Sequence, residues 1–156
     1  MDRLIARAKF GGRRDCARVL GEWLAADLLA SRASPWPELI IPVPLHPRRL
    51  ADRGYNQSED IARPLAAATG ARIDLRSCRR LRDTPEQSRL SASERRRNLR
   101  GAFSAGPGIA GRRVAMVDDV ITTGSTMAAL ARSLLDAGAA SVEAWAVART
   151  QPGRNR

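Results

Sequence analysis

The sequence predicts an α/β fold, a Rossmann-like parallel sheet with helices packed on both faces. Three observations carry this expectation. Short apolar runs of strand length alternate with longer stretches of helical periodicity. Glycine or proline punctuates the changes, at Gly11-Gly12, Pro35-Trp36-Pro37, Gly70, Gly106-Pro107-Gly108 and Gly138. The resulting order is helix, strand, helix, strand, loop, strand, helix, strand, which implies parallel strands with crossover helices on either side.

In chain order, residues 15–30 place Cys16, Val19, Leu20, Trp23, Leu24 and Leu28 at helical spacing, so an amphipathic packing helix is expected there. Leu39-Ile40-Ile41 is a short buried strand that runs into Pro42-Val43-Pro44-Leu45-His46-Pro47. Three prolines in six residues stiffen that loop, and stiff loops at a strand's carboxyl end are where sites are built. A helix over 56–69 closes at Gly70. Pro64 is a misfit in it, because an interior proline costs about 3 kcal/mol; either a kink or a regular helix starting near Arg63 is expected. Residues 72–75 form a short strand. Residues 79–100 carry eight arginines against Asp83, Glu86 and Glu94 with little apolar content, the profile of a mobile functional loop, and capping residues in 93–99 favour a short helix late in it. A strand follows over 113–117. The helix after Gly124 sets Met127, Leu130, Ala131, Leu134 and Leu135 on one face and stops at Gly138. The last strand covers 141–148.

At 156 residues and 44% apolar content, the chain fits one domain with a real core. That domain is expected over 1–150, with 1–34 as an N-terminal helical segment, 79–100 as a flexible basic loop and 151–156 as a disordered tail. Nothing approaches the roughly 18 consecutive apolar residues of a membrane span, and the basic N-terminus leads into no apolar signal core. A cytoplasmic protein with no membrane partner is expected. Cys16 and Cys78 are isolated, without Cys-x-x-Cys spacing, which argues against a zinc site or a disulfide framework. Formal charge is +11, and Lys9 is the only lysine. Such an arginine excess suits a polyanion, either nucleic acid or a pyrophosphate-bearing metabolite, and composition does not choose between them. Trp23, Trp36 and Trp145 read as core or boundary residues, not as base-stacking platforms.

The chemistry concentrates in Val117-Asp118-Asp119-Val120-Ile121-Thr122-Thr123-Gly124-Ser125-Thr126. A hydroxyl-rich loop feeding a helix N-terminus offers unpaired backbone N–H groups and a positive dipole end, which suit a phosphate monoester. Carboxylates at the carboxyl end of a strand sit where open α/β sheets bind ligands, and they accept hydrogen bonds from a ribose diol. Phosphate at one end and diol at the other describe a ribose 5-phosphate. Two blander readings use the same residues: a metal pocket between adjacent acids, or a plain helix cap. A nucleotide-binding P-loop is excluded, because the Gly-rich loop with Lys-Ser or Lys-Thr is missing.

This segment resembles the 5-phosphoribosyl 1-pyrophosphate (PRPP) signature of the type I phosphoribosyltransferases: four apolar residues, two acids, two apolar residues, then Thr-Thr-Gly-x-Thr. Further motifs extend the likeness. Ile41-Pro42-Val43-Pro44-Leu45, Arg53-Gly54-Tyr55-Asn56-Gln57-Ser58, Thr84-Pro85-Glu86-Gln87 with Leu90, and Arg95-Arg96-Arg97-Asn98 with Ala102-Phe103 resemble, in this order, the ComF family of competence-associated phosphoribosyltransferase-like proteins. The resemblance spans nearly the whole chain. It implies the type I phosphoribosyltransferase fold with a flexible hood loop at 79–100. It also implies that Asp118 and Asp119 hold the ribose hydroxyls and that Thr122, Thr123, Gly124, Ser125 and Thr126 bind the 5-phosphate. Pro42, Val43, Pro44 and Leu45 would form the pyrophosphate-side loop, with Arg53 as the cation for the diphosphate. Arg89 and Arg97 are the hood arginines singled out to fold over the site. Mg2+ is implied, carried by the diphosphate of PRPP and not by a protein cluster.

Asp119 has a second candidate role, stabilising positive charge on the ribose or taking a proton from the acceptor. His46, the sole histidine, reads as a loop residue ahead of a catalytic one, and Tyr55 is weighed as a ring to stack on an acceptor. Family members commonly carry a Cys-rich, zinc-finger-like segment before the point where Ala8-Lys9-Phe10-Gly11-Gly12-Arg13-Arg14 begins. It is missing from this sequence, so no zinc is expected, and a truncated or misassigned start at Met1 is an expectation it raises. The implied function is a PRPP-binding phosphoribosyltransferase-like protein with an unknown acceptor, and a homodimer could complete its site. The function kept open beside it is a competence or DNA-uptake accessory that contacts nucleic acid or competence-machinery protein and uses the fold without catalysis.

Overall fold

A computed structural model describes residues 14–32, 35–83 and 98–150. Its elements in chain order are helix α1 (Arg14–Ser31), strand β1 (Leu39–Pro42), helix α2 (Pro47–Arg53), helix α3 (Gln57–Thr69), and strands β2 (Arg72–Ile73), β3 (Cys78–Arg80) and β4 (Phe103–Ala105). A 3-10 turn (Pro107–Ile109), strand β5 (Arg113–Ile121), helix α4 (Ser125–Asp136) and strand β6 (Ser141–Arg149) complete it. The residues before Arg14, residues 84–97 of the basic loop and the expected tail at 151–156 lie outside the described residues.

The sheet has the order β2-β1-β5-β6 with every pairing parallel. Its strands alternate their side chains between two cores, as the pleat requires. Ile40, Ala115, Val117 and Trp145 pack with Leu20, Ile61 and Leu65 on the face covered by α1 and α3. Leu39, Ile41, Val114 and Met116 pack with Met127, Leu130 and Leu134 of α4 on the other. This is the expected α/β architecture, with helices on both faces. Leu20, Ile61, Leu65, Leu130 and Leu134 are fully enclosed, and each such side chain contributes about 1.5–3 kcal/mol of burial. Trp145 is buried and meets half-buried Trp36 edge to face, with ring centres 6.4 Å apart.

Helix α1 crosses α3 at close range because Gly21 has no side chain; a Cβ there would lie 2.4 Å from the Ile61 carbonyl oxygen. Arg14 adds a bidentate pair, Nε and Nη2 donating to the two carboxylate oxygens of Asp60 at 2.9 and 2.8 Å. Helix α4 ends in a Schellman motif: Gly138 N–H donates to the Leu135 carbonyl and Ala139 N–H to that of Leu134.

Several expectations are corrected. Helix α3 is continuous from Gln57, seven residues ahead of Pro64, so a regular helix starting near Arg63 does not occur. Asn56 caps the start with its side chain, and the burial of Ile61, Ala62 and Leu65 offsets the hydrogen bond that Pro64 removes. Trp23 and Leu135 are half in water, at 52% and 49% exposure, so the apolar stripes of α1 and α4 are narrower than their sequences imply. Strand β5 is nine residues long and carries both acids within it, not just beyond it. Strand β3 takes up the start of the expected loop, pairing Arg79 with Ser104 and Arg80 with Phe103. Asn98 at the far side of the loop is helical. Helix α2 was not anticipated at all.

Candidate functional site

The end of β5 is built by side chains that fold onto the backbone. Asp118, half-buried, accepts on Oδ1 from Ser58 Oγ and from Asp119 N–H, both at 2.9 Å. Asp119 Oδ1 in turn accepts from Val120 N–H at 2.7 Å. Such local bonds compete with the strand ladder, and the pairing with β6 passes from Asp118 opposite Ala146 to Val120 opposite Ala148. The two acids are therefore unlike. Asp119 is 2% exposed and offers little surface to a ligand, whereas Asp118 is half-buried.

Beyond β5 the chain turns through Thr122 and Thr123, both exposed, into Gly124, Ser125 and Thr126, all half-buried. Gly124 is the N-cap of α4, in the left-handed region at φ 73° and with no side-chain cap bond. Glycine suits that backbone, since a Cβ would strain it. The Thr123 and Ser125 hydroxyls bond each other at 2.9 Å, and Ser125 N–H reaches Thr123 Oγ1 only at 3.4 Å. Apart from that long contact the N-cap glycine supplies no side-chain cap, and a helix start so built leaves first-turn N–H groups for an anion.

On the other side of Asp118, Val43 N–H donates to the Val117 carbonyl at 2.8 Å and the Val43 carbonyl accepts from Asn56 Nδ2 at 3.1 Å. Pro44 has no N–H. Neither residue has a backbone donor left for a diphosphate, so any N–H contact along this loop falls to Leu45 and His46. His46 caps α2, its Nδ1 accepting from Arg48 N–H at 3.3 Å. Arg53, in the last turn of α2, donates from Nη1 to Gln57 Oε1 at 2.7 Å, and Gln57 is buried. Tyr55 is half-buried in the connection between them. Arg89 and Arg97 lie outside the described residues.

Asn56, Gln57 and Ser58 belong to a motif that carries the family resemblance, but sequence reasoning gives them no role in the site. They stand side by side at the start of α3, and each grips a different part of the site. Three polar residues at a helix start ordinarily read as a cap, so their long-range partners had no local signal. A concavity of about 340 Å³ between β4 and the flank of α4, lined by Gly101, Ser104, Arg132, Ser133 and Asp136 among others, is separate from these acids. Among the described residues no group of three or more His, Cys, Asp or Glu side chains could cage a metal, and no helix is long and apolar enough to cross a membrane. Cys16 and Cys78 are both buried, and burial pushes the Cys78 thiol up to about 11.

A parallel α/β sheet with paired acids and a hydroxyl-rich helix start at its carboxyl end is the build of a sugar-phosphate-handling domain. The chain belongs to the phosphoribosyl transferase domain family, whose model matches residues 50–155. It is 41% identical over 150 residues to DNA utilization protein YhgH of Salmonella typhi and 38% identical over 154 residues to Competence protein F of Haemophilus influenzae. In each case the match covers 94% of this chain and 66% of the relative, so the chain spans about two thirds of the length of these proteins. Competence protein ComFC of Streptococcus pneumoniae is 28% identical over 153 residues, covering 96% of this chain and 63% of that one. The ComF resemblance is thereby borne out. Among solved structures, glutamine PRPP amidotransferase of B. subtilis, complexed with ADP and GMP, aligns with a TM-score of 0.55 at 26% identity, over 84% of this chain and 26% of that one. An allosteric regulatory enzyme of purine biosynthesis aligns with a TM-score of 0.57 at the same identity, over 84% of this chain and 25% of that one.

Proposed function

We propose that this chain binds PRPP with Mg2+ and acts as a phosphoribosyltransferase-type protein on the 5-phosphoribosyl group. The observation that carries the reading is the run from Asp118 to Thr126, in which a carboxylate held by Ser58 lies one tight turn from an uncapped helix start. The B. subtilis relative in fold is named for PRPP, which supports the same ligand here.

In this reading Asp118 accepts hydrogen bonds from the ribose diol, while Ser125, Thr126 and the hydroxyls of Thr122 and Thr123 receive the 5-phosphate. Asp119, bonded to Val120 N–H, fixes the strand end on which Asp118 stands. Leu45 and His46 N–H face the diphosphate side, and Arg53, steadied by Gln57, supplies the cation. Mg2+ is commonly held by one or two carboxylates together with substrate phosphates; the half-buried Asp118 is the hard oxygen ligand that would help to hold a metal arriving with the diphosphate. Bound there, the metal would neutralise charge on the departing pyrophosphate. The bond from the anomeric carbon to the diphosphate oxygen breaks with its electron pair leaving on oxygen, an oxocarbenium-like ribose forms, and the acceptor supplies the new bond. The two anchors hold the sugar still while this happens.

Calorimetric titration of the folded protein with PRPP tests this. Heat is expected with Mg2+, and Asp118→Asn should bind PRPP far more weakly; no heat from the native protein with or without Mg2+ would sink the reading. A second reading, a nucleic-acid-associated accessory, is favoured by the formal charge of +11 and by relatives named for DNA utilization and competence. It predicts DNA binding that weakens steeply with salt and is indifferent to Asp118→Asn.

A further inference from the structure

The start of α3 reaches every part of the site except the phosphate turn. Asn56 Nδ2 holds the Val43 carbonyl at 3.1 Å, Gln57 Oε1 accepts from Arg53 at 2.7 Å, and Ser58 Oγ donates to Asp118 at 2.9 Å. Ser58 is 1% exposed and cannot exchange this contact for water. Its backbone is also fixed, because Ser58 N–H donates to Asn56 Oδ1 at 3.1 Å as part of the helix cap. Helix α3 is clamped beneath by the Arg14 pair to Asp60 and by the close crossing at Gly21. A hydroxyl so placed has little freedom to turn away, and its donation favours the ionised carboxylate and, together with Asp119 N–H on the same oxygen, orients the group.

We propose that Ser58 is a positioning residue that orients the Asp118 carboxylate to accept the 2-hydroxyl of a ribose phosphate. The inference rests on the sugar-phosphate reading above and adds to it a residue that touches no ligand. Without the Ser58 hydroxyl, Asp118 keeps its charge and its bond from Asp119 N–H but loses the side-chain donor that helps to set the carboxylate's orientation. Recognition of the diol then weakens, while the 5-phosphate contacts at the start of α4 stay as they are.

A ligand-truncation cycle tests this on the full chain. Binding of ribose 5-phosphate and of 2-deoxyribose 5-phosphate is measured for the native protein, Ser58→Ala, Ser58→Cys and Asp118→Asn. Thermal unfolding of each is recorded alongside. The native protein should favour the ribose compound about tenfold, the size of one well-made hydrogen bond to a charged group. In Ser58→Ala and in the near-isosteric Ser58→Cys that preference should fall to about twofold with 2-deoxyribose 5-phosphate bound as before. Asp118→Asn should behave likewise. If both Ser58 variants retain the native preference, or weaken the two sugars equally, Ser58 only supports the helix and the inference is overturned while the reading of the site stands. If the native protein binds neither sugar, the reading itself fails and the inference with it.

Discussion

The two ends of the central sheet are made of the same strands and similar residues, yet they use their polar groups in opposite ways. At the amino end Glu38, itself half-buried, spends its carboxylate on the sheet: it takes Arg113 N–H at 3.1 Å and Arg112 Nη1 at 2.9 Å, and its backbone pairs with Arg113 and Arg72. At the carboxyl end Asp118 is held by Ser58 but stays half-open, beside a helix whose first turn has no side-chain cap. One acid serves the sheet and the other is presented by it. Elements that satisfy their own donors and acceptors stabilise a fold; elements that hold a group in place without fully covering it can bind a ligand.

Substitutions at each end should separate these roles. The largest expected effect is on Asp118→Asn, which should lower PRPP affinity by about 10- to 100-fold, the worth of a charge-assisted hydrogen bond, with little change in the melting temperature. A comparable fall in melting temperature would show that Asp118 belongs with Glu38. Gly124→Ala comes next. Forcing an L side chain into φ 73° costs about 1–2 kcal/mol, and the turn should relax by reshaping the start of α4, weakening PRPP binding severalfold; calorimetry and thermal unfolding on the same sample check both.

Glu38→Gln should do the converse, leaving PRPP affinity unchanged while lowering stability in a pH-dependent manner. The Arg113 N–H bond and then the Arg112 guanidinium hold the Glu38 carboxyl below its ordinary value of 4.5. A carboxyl depressed in the folded state contributes stability above its unfolded pKa and loses it as pH falls through the folded one. The native protein's advantage over Glu38→Gln should thus be full at pH 7 and vanish in acid below the ordinary carboxylate range, as read by denaturant unfolding across pH. An advantage that grows as pH falls would contradict the latch. The smallest effect is expected at Leu135→Gln on the half-exposed flank of α4, within about 0.5 kcal/mol of native.

Leu135 also shows where sequence pattern reaches its limit. Its spacing from Leu130 and Leu134 puts it on the apolar stripe, but the width of that stripe is set by what packs against it, and α4 buries only Met127, Leu130 and Leu134. The strands and main helices were legible because apolar runs end at Gly or Pro, as at Gly70 and Gly138. Helix α2 was not, because none of its seven residues is buried and no periodicity arises; only Pro47 at its start and Gly54 at its stop marked it. Arginines concealed β3, in which Cys78 is buried and the Arg80 guanidinium lies over the Phe103 ring, 5.5 Å from its centre.

In the site, the hydroxyl and glycine pattern of Thr122 to Thr126 was readable, since few other roles need it before a helix. Adjacency of Asp118 and Asp119 said nothing about which carboxylate would be buried. Val43 and Pro44 lie in the loop that follows β1, where the sheet takes the one N–H between them. Ser58 lies sixty residues from its partner, a distance across which no local pattern operates.

The most direct test of the site is a crystal structure of the protein with PRPP and Mg2+. The account predicts the 5-phosphate at the backbone N–H groups of Ser125 to Met127 and the ribose diol at Asp118. A sugar phosphate seated elsewhere, such as the concavity beside Arg132 and Ser133, with no contact to Asp118, would contradict it.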